Sequence, residues 1–228
     1  MATLLHASVV SMSTPADTRP GAGAWVPAGA GIEALRAAAA QCEGCELQRA
    51  ATQTVFSAGP VSARLALVGE QPGDAEDRAG APFIGPAGQL LDRALADAGI
   101  ERDATYVTNA VKHFRFTAPP QRRVHQTPDL AHLSACRPWL TAELAVVDPE
   151  VVVCLGATAA RVLLGADFRV TRQRGMLFAR PARSDDPGLV RAGWLMATVH
   201  PSAVLRADDR DAAYEGLVAD LRTAHNAL

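Results

Sequence analysis

Side chains that can exchange protons or recognise a base stand at the ends of three apolar segments. They are Glu70, Gln71 and Asp74 after residues 64–68, Asn109 in the segment 105–111, and His200 after residues 194–199. In a mostly parallel sheet, ligands bind outside the carboxyl ends of the strands. We therefore expect these groups to face one crevice, although polar residues at strand ends are common and do not define a reaction by themselves.

Two glycine-containing segments border this expected crevice. Residues 69–74 form a tight turn that matches neither the dinucleotide-binding motif nor the P-loop, so a nucleotide cofactor is not indicated. Residues 80–88 lead into a helix and contain Phe83. Two interpretations of Phe83 stay open, namely an ordinary core side chain and an aromatic ring that stacks on a nucleic-acid base.

Residues 112–125 form a basic segment that contains no acidic residue. Its four cations are Lys112, Arg115, Arg122 and Arg123, and it also contains two phenylalanines. Guanidinium groups pair well with phosphate oxygens and aromatic rings stack on bases, so we favour a nucleic-acid contact over a merely solvated loop.

The four cysteines of the chain are Cys42, Cys45, Cys136 and Cys154. The CxxC spacing of the first pair suits two thiolates on one metal centre, but it also occurs in redox-active pairs. With two further cysteines and none left over, we expect a four-cysteine metal site. The alternative for Cys154 is a structural role, because a small buried side chain would serve equally well in the apolar run 151–155.

The composition is that of an ordinary globular protein, with 228 residues, 49% of them hydrophobic and 20% charged. The formal charge of −2 gives no general sign of a polyanionic partner, so a nucleic-acid surface has to be local. No apolar run approaches the length of a membrane span, and no export signal is evident. We expect a cytoplasmic protein without disulfides.

Apolar periodicity predicts the elements that position these groups. We expect strands at 64–68, 105–111, 151–155 and 194–199, and helices at 32–41, from Pro86, after Thr127-Pro128, at 157–164 and from Asp208. Pro138 should kink or restart its helix. This alternation favours an α/β fold, a three-layer α/β/α arrangement with a central four-stranded, mostly parallel sheet. Residues 1–31 lack periodicity and are expected to form a disordered tail, which leaves residues 32–228 as one domain.

Several ordered motifs resemble the family 4 uracil-DNA glycosylases, iron–sulfur enzymes of the uracil-DNA glycosylase superfamily. From about residue 32 to the C-terminus, the matching parts are Glu-Gln-Pro-Gly-Asp at 70–74 with Glu-Asp at 76–77, Pro-Phe-Ile-Gly at 82–85, Thr-Asn at 108–109, the four cysteines, and His-Pro-Ser at 200–202. The resemblance implies a [4Fe–4S] cluster on Cys42, Cys45, Cys136 and Cys154. Cysteine spacing alone leaves zinc possible.

One loop is similar to the X-type branch (UdgX) of that family. Residues 121–125 read Gln-Arg-Arg-Val-His, where members of the branch usually carry Lys-Arg-Arg-Ile-His and bond covalently to deoxyribose. Valine conserves the shape of isoleucine, and glutamine removes one charge that could contact phosphate. The resemblance therefore implies a covalent adduct through His125.

The resemblance also implies roles for individual side chains. Phe83 would stack on a flipped uracil, Asn109 would read the polar edge of the base, and His200 would stabilise negative charge near O2. For His200 the alternative is a turn-capping role before Pro201. Glu70 would stabilise the cationic sugar, as carboxylates do in glycoside hydrolysis. The remaining assignments are substrate contacts by Gln71, Asp74 and Ser202, and DNA contacts by Lys112, Arg115, Arg122, Arg123 and Arg206.

Three functions remain open from the sequence. We prefer uracil excision that ends with His125 bonded to C1′, because neutral imidazole is a good nucleophile and, once bonded, a poor leaving group. The second is a multiple-turnover glycosylase that leaves an abasic site. The third is a non-catalytic DNA-binding or redox-sensing iron–sulfur protein, against which the Glu70, Asn109 and His200 set argues. The expected partner is uracil-containing DNA, single-stranded by preference because extrusion of the base then costs little, with free uracil as product and a monomeric protein.

Overall fold

The computed structural model describes residues 19–118, 122–180 and 193–228. Its strands are β1 (Ser57–Ala58), β2 (Leu65–Gly69), β3 (Thr105–Asn109), β4 (Phe116–Thr117), β5 (Val124–His125), β6 (Val151–Leu155), β7 (Phe178–Arg180) and β8 (Gly193–Thr198). Its helices are α1 (Ile32–Ala39), α2 (Asp74–Ala79), α3 (Pro86–Asp97), α4 (Leu130–Val147), α5 (Ala157–Leu164), α6 (Val170–Gln173), α7 (Pro201–Leu205) and α8 (Arg210–His225).

Six of the strands form one sheet in the order β1-β3-β2-β6-β8-β7. The four predicted strands, β3, β2, β6 and β8, are its parallel centre, which confirms the mostly parallel sheet. The short strands β1 and β7 add an antiparallel partner at each edge, so the described residues contribute six strands to this sheet instead of the predicted four. Strands of two and three residues are too short for apolar alternation to reveal them.

Helices cover both faces of the sheet, as the three-layer prediction requires. One apolar layer packs the even-numbered positions of β2 and β6 against α1 and α4. The other layer packs their odd-numbered positions against α3 and α8. Both strands are completely buried, which explains why they read as unbroken apolar runs in the sequence.

The long helix α4 differs from its prediction at two places. It begins two residues later than expected, because Asp129 and not Thr127 caps it, with the Asp129 carboxylate accepting from the His132 N–H at 3.0 Å. It also runs through Pro138 as one element, so of the two expectations for Pro138 the restart is wrong. Within the three described ranges, no helix is both long and apolar enough to cross a membrane.

Part of the predicted tail belongs to the folded domain. Residues 1–18 lie outside the described residues, but residues 22–25 form a single 3-10 turn that contacts α4. The N–H of Gly21 donates to the carbonyl of Gly44 at 3.0 Å, and Ala22 is buried. The expectation of disorder for residues 1–31 is therefore corrected for residues 19–31.

Candidate active site

A cavity of about 600 Å³ opens at the carboxyl ends of the central strands. Glu70 follows β2, Asn109 ends β3 and His200 follows β8, so the structure brings the three predicted strand-end groups together. Five further predicted residues line the same cavity, namely Gln71, Phe83, His125, Ser202 and Arg206.

The inner part of the cavity holds Asn109 and Phe83 against a glycine. Gly69 lies opposite Asn109 in the β2–β3 pair. A Cβ on Gly69 would collide with the Asn109 amide oxygen and lie 2.5 Å from Cζ of Phe83, so only glycine leaves room for both groups. Phe83 has a φ of 56°, in the left-handed region that residues other than glycine rarely adopt. The buried Asn109 amide oxygen has no hydrogen-bond partner among the described residues, and such an acceptor is costly unless a ligand satisfies it.

Glu76, on α2, holds the two glycine-containing segments together. Its Oε1 accepts from the N–H groups of Ile84 at 3.1 Å and Gly85 at 2.9 Å, and its Oε2 accepts from the N–H of Gly73 at 3.1 Å. Three donors satisfy this largely buried carboxylate. Glu76 belongs to one of the matching motifs but has no predicted role, because backbone donors leave no mark on residue types.

The carboxylate of Glu70 is oriented from two sides. The hydroxyl of Thr158, at the start of α5, donates to Oε2 of Glu70. Oε1 lies 3.5 Å from Nε2 of His125. Thr158 was not predicted as a site residue, because nothing in the run Gly156-Ala-Thr-Ala-Ala signals that its hydroxyl meets a residue 88 positions away.

Gln71 holds the loop that carries His125. Its Oε1 accepts from the N–H of Arg115 at 2.9 Å, which fixes the orientation of the amide. Its Nε2 lies 3.0 Å from the carbonyl of Gln126, 3.2 Å from that of Arg115, and 2.9 Å from Nε2 of His125. An amide nitrogen can only donate. Nε2 of His125 is therefore the unprotonated nitrogen of this ring, and it stands beside Glu70.

His200 is a neutral hydrogen-bond donor toward the cavity. Burial lowers its pKa to about 4, with smaller electrostatic contributions from the neighbouring His125 and Arg206 side chains. Its Nδ1 accepts from the N–H of Ser202 at 3.2 Å, so the proton of the neutral ring resides on Nε2. His200 also caps α7, so the turn-capping alternative is confirmed, while its role toward a substrate stays a prediction. Ser202 serves here as a partner of His200.

Two predicted contacts are replaced by an ion-pair cluster. Arg123 pairs with Asp74 and, at 2.6 Å, with Oδ2 of Asp77, and its side chain is only 14% exposed. Its guanidinium also lies over the rings of Phe116 at 4.9 Å and Phe114 at 5.4 Å. Asp74 does not line the cavity, and Arg123 is occupied within the protein. The predictions of a substrate contact for Asp74 and a phosphate contact for Arg123 are corrected accordingly.

Lys112 was predicted to contact DNA, and the structure contradicts this. Its side chain is 1% exposed and its ammonium group pairs with Glu143 of α4. The same group donates to Oγ1 of Thr108 at 2.6 Å and to the backbone carbonyl of Asn109 at 2.9 Å. All three ammonium hydrogens are used in the core, so none is available to a phosphate.

The other predicted DNA-binding residues lie nearer the surface. Arg122 and Arg206 are exposed, and Arg206 stands at the edge of the cavity. Arg115 is 34% exposed, and its guanidinium donates to the carbonyl of Thr127 at 2.7 Å. Their contacts with DNA stay predictions.

Three of the four cysteines border a second, smaller cavity. Cys42 and Cys45 come from the segment after α1, and Cys136 comes from α4. His113 lines this cavity, whereas Cys154 does not. Burial raises the pKa of both Cys136 and Cys154 to about 12, but only the pKa of Cys136 also responds to Cys42 and Cys45. The predicted four-cysteine set is therefore corrected at Cys154.

The donor types around this cavity are those of a sulfur-ligated site. Backbone N–H groups donate to two of the thiols, from Gly44 to Cys42 at 3.4 Å and from Lys112 to Cys136 at 3.3 Å. Trp139 lines the cavity, and its indole N–H has no acceptor in the described part of the chain. Among the same residues, no three His, Cys, Asp or Glu side chains converge closely enough for a single metal ion. Three of the four cysteines thus share one cavity, and the iron–sulfur cluster stays a prediction.

The fold and the strand-end cavity define the class of protein, and a comparison with known families agrees. The model of the family described as "Uracil DNA glycosylase superfamily" matches residues 56–222. This range includes every predicted site residue except Cys42 and Cys45. The chain belongs to the uracil-DNA glycosylase superfamily.

Individual relatives place the chain more narrowly. It is 38% identical over 136 residues to the "Type-4 uracil-DNA glycosylase" of Thermotoga maritima, which covers 59% of this chain and 67% of that protein. It is 33% identical over 165 residues to the protein of the same name from Pyrobaculum aerophilum, which covers 72% of this chain and 80% of that one. These similarities confirm the resemblance to family 4, while membership of the X-type branch stays a prediction.

Proposed function

We propose that this protein extrudes uracil from DNA, cleaves its N-glycosidic bond and is left joined to C1′ of the deoxyribose through His125. The observation that carries the proposal is the unpartnered amide oxygen of Asn109 beside Phe83 in the strand-end cavity. The names of the relatives support uracil as the base and cleavage of its N-glycosidic bond as the reaction. The position of His125 beside Glu70 supports the covalent outcome.

Asn109 and Phe83 give the cavity its preference for uracil. The amide oxygen of Asn109 accepts from N3–H of the base and the amide nitrogen donates to O4. Cytosine presents an acceptor at N3 and a donor at position 4, so both hydrogen bonds would be lost. Phe83 supplies a ring on which the extruded base stacks.

His200 assists departure of the base. Because its pKa is lowered to about 4, the ring is neutral at pH 7 and donates from Nε2. A donor near O2 stabilises the negative charge that uracil gains as the bond breaks. A neutral donor also avoids burying a second cation near the positively charged sugar.

Glu70 and His125 act on the sugar. As the C1′–N1 bond breaks, its electron pair leaves with uracil, and the sugar becomes oxocarbenium-like. The Glu70 carboxylate stabilises this cation. The lone pair on Nε2 of His125 then forms the new bond to C1′, the ring releases its Nδ1 proton, and uracil takes up one proton. The net change exchanges a sugar–uracil bond for a sugar–imidazole bond.

A cofactor and a mode of binding complete the proposal. A [4Fe–4S] cluster held by Cys42, Cys45 and Cys136 would tie the segment after α1 to α4, a structural role. The substrate is uracil in DNA, preferably single-stranded, because no pairing has to be broken. Arg122 and Arg206 would contact its phosphates, and the protein would act as a monomer and release free uracil.

A second candidate is an ordinary glycosylase that releases uracil and leaves an abasic site. It is favoured by the exposure of His125, whose side chain is 48% accessible, because water can also reach Glu70 from that side. The names of the relatives agree with this outcome as well.

A single denaturing gel separates the candidates. The protein is incubated with a single-stranded oligonucleotide containing one uracil, and with a matched one containing thymine. The proposal expects a slow-migrating adduct with uracil only, whose mass equals protein plus DNA less one uracil. Strand breakage after alkali without an adduct would establish the second candidate. Intact DNA in both lanes would refute both.

The matched variant His125→Ser tests the nucleophile. It should lose the adduct and still release uracil, because water then reaches C1′ from the vacated side. An adduct formed by His125→Ser would show that another side chain attacks.

A further inference from the structure

We infer that the buried pair of Lys112 and Glu143 positions Asn109 to select uracil, an inference that rests on the base-reading role of Asn109 in the proposed function. Neither partner of the pair lines the strand-end cavity, so both act through Asn109 as positioning residues.

The first support is the hydrogen bonding of the Lys112 ammonium group. It donates to the backbone carbonyl of Asn109 at 2.9 Å and to Oγ1 of Thr108 at 2.6 Å, while it pairs with Glu143. One cation thus holds the main chain of Asn109 and the side chain of the residue before it. The side-chain amide of Asn109 is left to the cavity, where its oxygen has no partner among the described residues.

The second support is the turn that joins Asn109 to this lysine. The N–H of Ala110 donates to the carbonyl of Gly69 at 2.9 Å, and the N–H of Val111 donates to that of Glu70 at 3.0 Å. The residues between the base reader and the lysine are therefore fixed to the end of β2. The ammonium group closes this turn back onto the carbonyl of Asn109, which leaves the main chain there little freedom to move.

The third support is that the carboxylate of Glu143 is itself held in place. Glu143 comes from α4 and is completely buried. Its Oε1 lies 3.1 Å from the hydroxyls of Tyr106 and Thr108, both on β3. The counter-ion of Lys112 is thus aligned with the strand that ends at Asn109.

Stability alone does not account for an ion pair at this place. Moving two charges out of water costs about as much as their attraction returns, so well-packed apolar side chains of similar volume often serve a fold equally well. A buried pair can instead fix one geometry of the groups around it. Recognition of N3–H and O4 needs such a fixed geometry, because a displacement of about 1 Å in a positioning group can cost on the order of a hundredfold in rate.

The first test is the single-turnover rate of uracil release from a single-stranded oligonucleotide. Lys112→Met/Glu143→Leu removes both charges together, so none is left unpaired. We expect urea unfolding close to that of the wild type and uracil release at least about tenfold slower.

Tyr106→Phe is the matched control. It removes a hydroxyl that lies 3.1 Å from the same carboxylate, and it leaves the ammonium group and its bond to Asn109 in place. Its rate should equal that of the wild type. A wild-type rate in the double variant would overturn the inference. So would an equally slow Tyr106→Phe, because general loosening of the core would then be the cause.

The second test needs no variant, and so covers the case in which the double variant fails to fold. Lys112 is the only lysine of the sequence, and Asn109 is one of two asparagines, with Asn226 as the other. Protein labelled at the lysine Cε and at the asparagine amides therefore gives one methylene signal and two side-chain amide signals by nuclear magnetic resonance.

The ligand for this test is a single-stranded oligonucleotide with one 2′-fluorinated deoxyuridine. Its glycosidic bond resists cleavage, because fluorine destabilises the cationic sugar. Entry of the base should shift the amide signal of Asn109 and the methylene signal of Lys112, with Asn226 as the unshifted reference. A matched oligonucleotide containing thymine should shift neither.

The outcomes separate this inference from the proposed function. A shift at Asn109 without any change at Lys112 would overturn the inference and leave uracil recognition by Asn109 in place. An Asn109 signal that does not respond to the uracil oligonucleotide would refute the base-reading role itself, and the inference with it.

Discussion

The side-chain amide of Gln71 lies 2.9 Å from Nε2 of His125 and determines which nitrogen of that ring carries the lone pair. The amide cannot rotate by half a turn, because its oxygen accepts from the N–H of Arg115 and its nitrogen faces two carbonyls. One residue therefore fixes both the position of the loop and the nitrogen that is ready to form a bond.

Replacing Gln71 should separate bond cleavage from adduct formation. Gln71→Ala removes four hydrogen-bonding contacts of the loop, so we expect at least about a tenfold slower adduct formation, since each 1.4 kcal/mol of lost positioning is tenfold. Uracil release should persist, because Asn109 and Glu70 are untouched. Both are measured by quenched-flow on one oligonucleotide. Gln126→Ala is the control, since its side chain donates to Thr117 of the same ladder at 3.4 Å. Equal rates for both variants would contradict the role of Gln71.

Thr158 should act on the cleavage step through Glu70. Thr158→Val keeps the shape of the side chain and removes the hydroxyl that orients the Glu70 carboxylate. We expect a fall in the single-turnover rate of uracil release of about tenfold, with the affinity for DNA unchanged. Thr158→Ser retains the hydroxyl and should restore most of the rate. If serine and valine behave alike, packing and not the hydroxyl is responsible.

Lys112 and Glu143 form a buried ion pair, and we expect the loss of one partner to destabilise the fold more than the loss of both. Lys112→Met leaves Glu143 charged and unpaired in the core, which costs about 3–5 kcal/mol. The double variant Lys112→Met/Glu143→Leu should recover most of this free energy of unfolding in urea. Arg102→Ala breaks the more exposed pair with Asp92 and should cost at most about 1 kcal/mol. A double variant no more stable than Lys112→Met would show that the pair is not the cause.

Arg122 and Arg123 are neighbours in the chain, but we expect their substitution to affect the salt dependence of DNA binding differently. Arg122 is exposed, so Arg122→Ala should weaken DNA binding and lower the slope of log affinity against log salt by about one. Arg123 is paired with Asp74 and Asp77, so Arg123→Ala should leave that slope unchanged and slow adduct formation by loosening the loop. The measurement is fluorescence anisotropy over a salt series. A reduced slope for Arg123→Ala would show that Arg123 contacts DNA phosphates.

His200 should make stability depend on pH. Its pKa is about 4 in the folded protein against an ordinary value of 6.5, so the unfolded chain binds the proton more readily. The stability that the neutral ring confers is complete above pH 6.5 and is lost as the pH falls toward 4. Urea unfolding across this range should show a shallower pH slope for His200→Gln than for the wild type. Equal slopes would mean that His200 titrates normally in the folded state.

The central strands could be predicted to within two residues at either end, and most easily β2 and β6, because their burial on both faces gives unbroken apolar runs that end at a glycine. The strand-end groups Glu70, Asn109 and His200 could be predicted because parallel strands end at one edge of the sheet. Position in the sequence is enough to predict these strands and strand-end residues because the geometry of a parallel sheet is regular.

What escaped prediction depends on contacts between distant segments. A lysine in a basic segment looks exposed, and only the tertiary structure shows that Glu143, 31 residues later, neutralises it. Asp74 and Arg123 likewise satisfy each other across 49 residues. Counting cysteines suggested a complete set of four, because nothing in the sequence shows that β6 turns Cys154 into the core while His113 reaches the cavity.

The ladder of β4 and β5 pairs only with itself within the described residues and adds no strand to the main sheet. His125, the proposed nucleophile, thus lies on a separate two-stranded ladder that side chains, chiefly those of Gln71 and Arg123, hold against the rest of the domain. The β4–β5 ladder could therefore be grafted, together with Gln71 and Arg123, onto a hydrolytic relative. The graft should convert a multiple-turnover glycosylase into a protein that bonds covalently to DNA at uracil, with the base pocket unchanged.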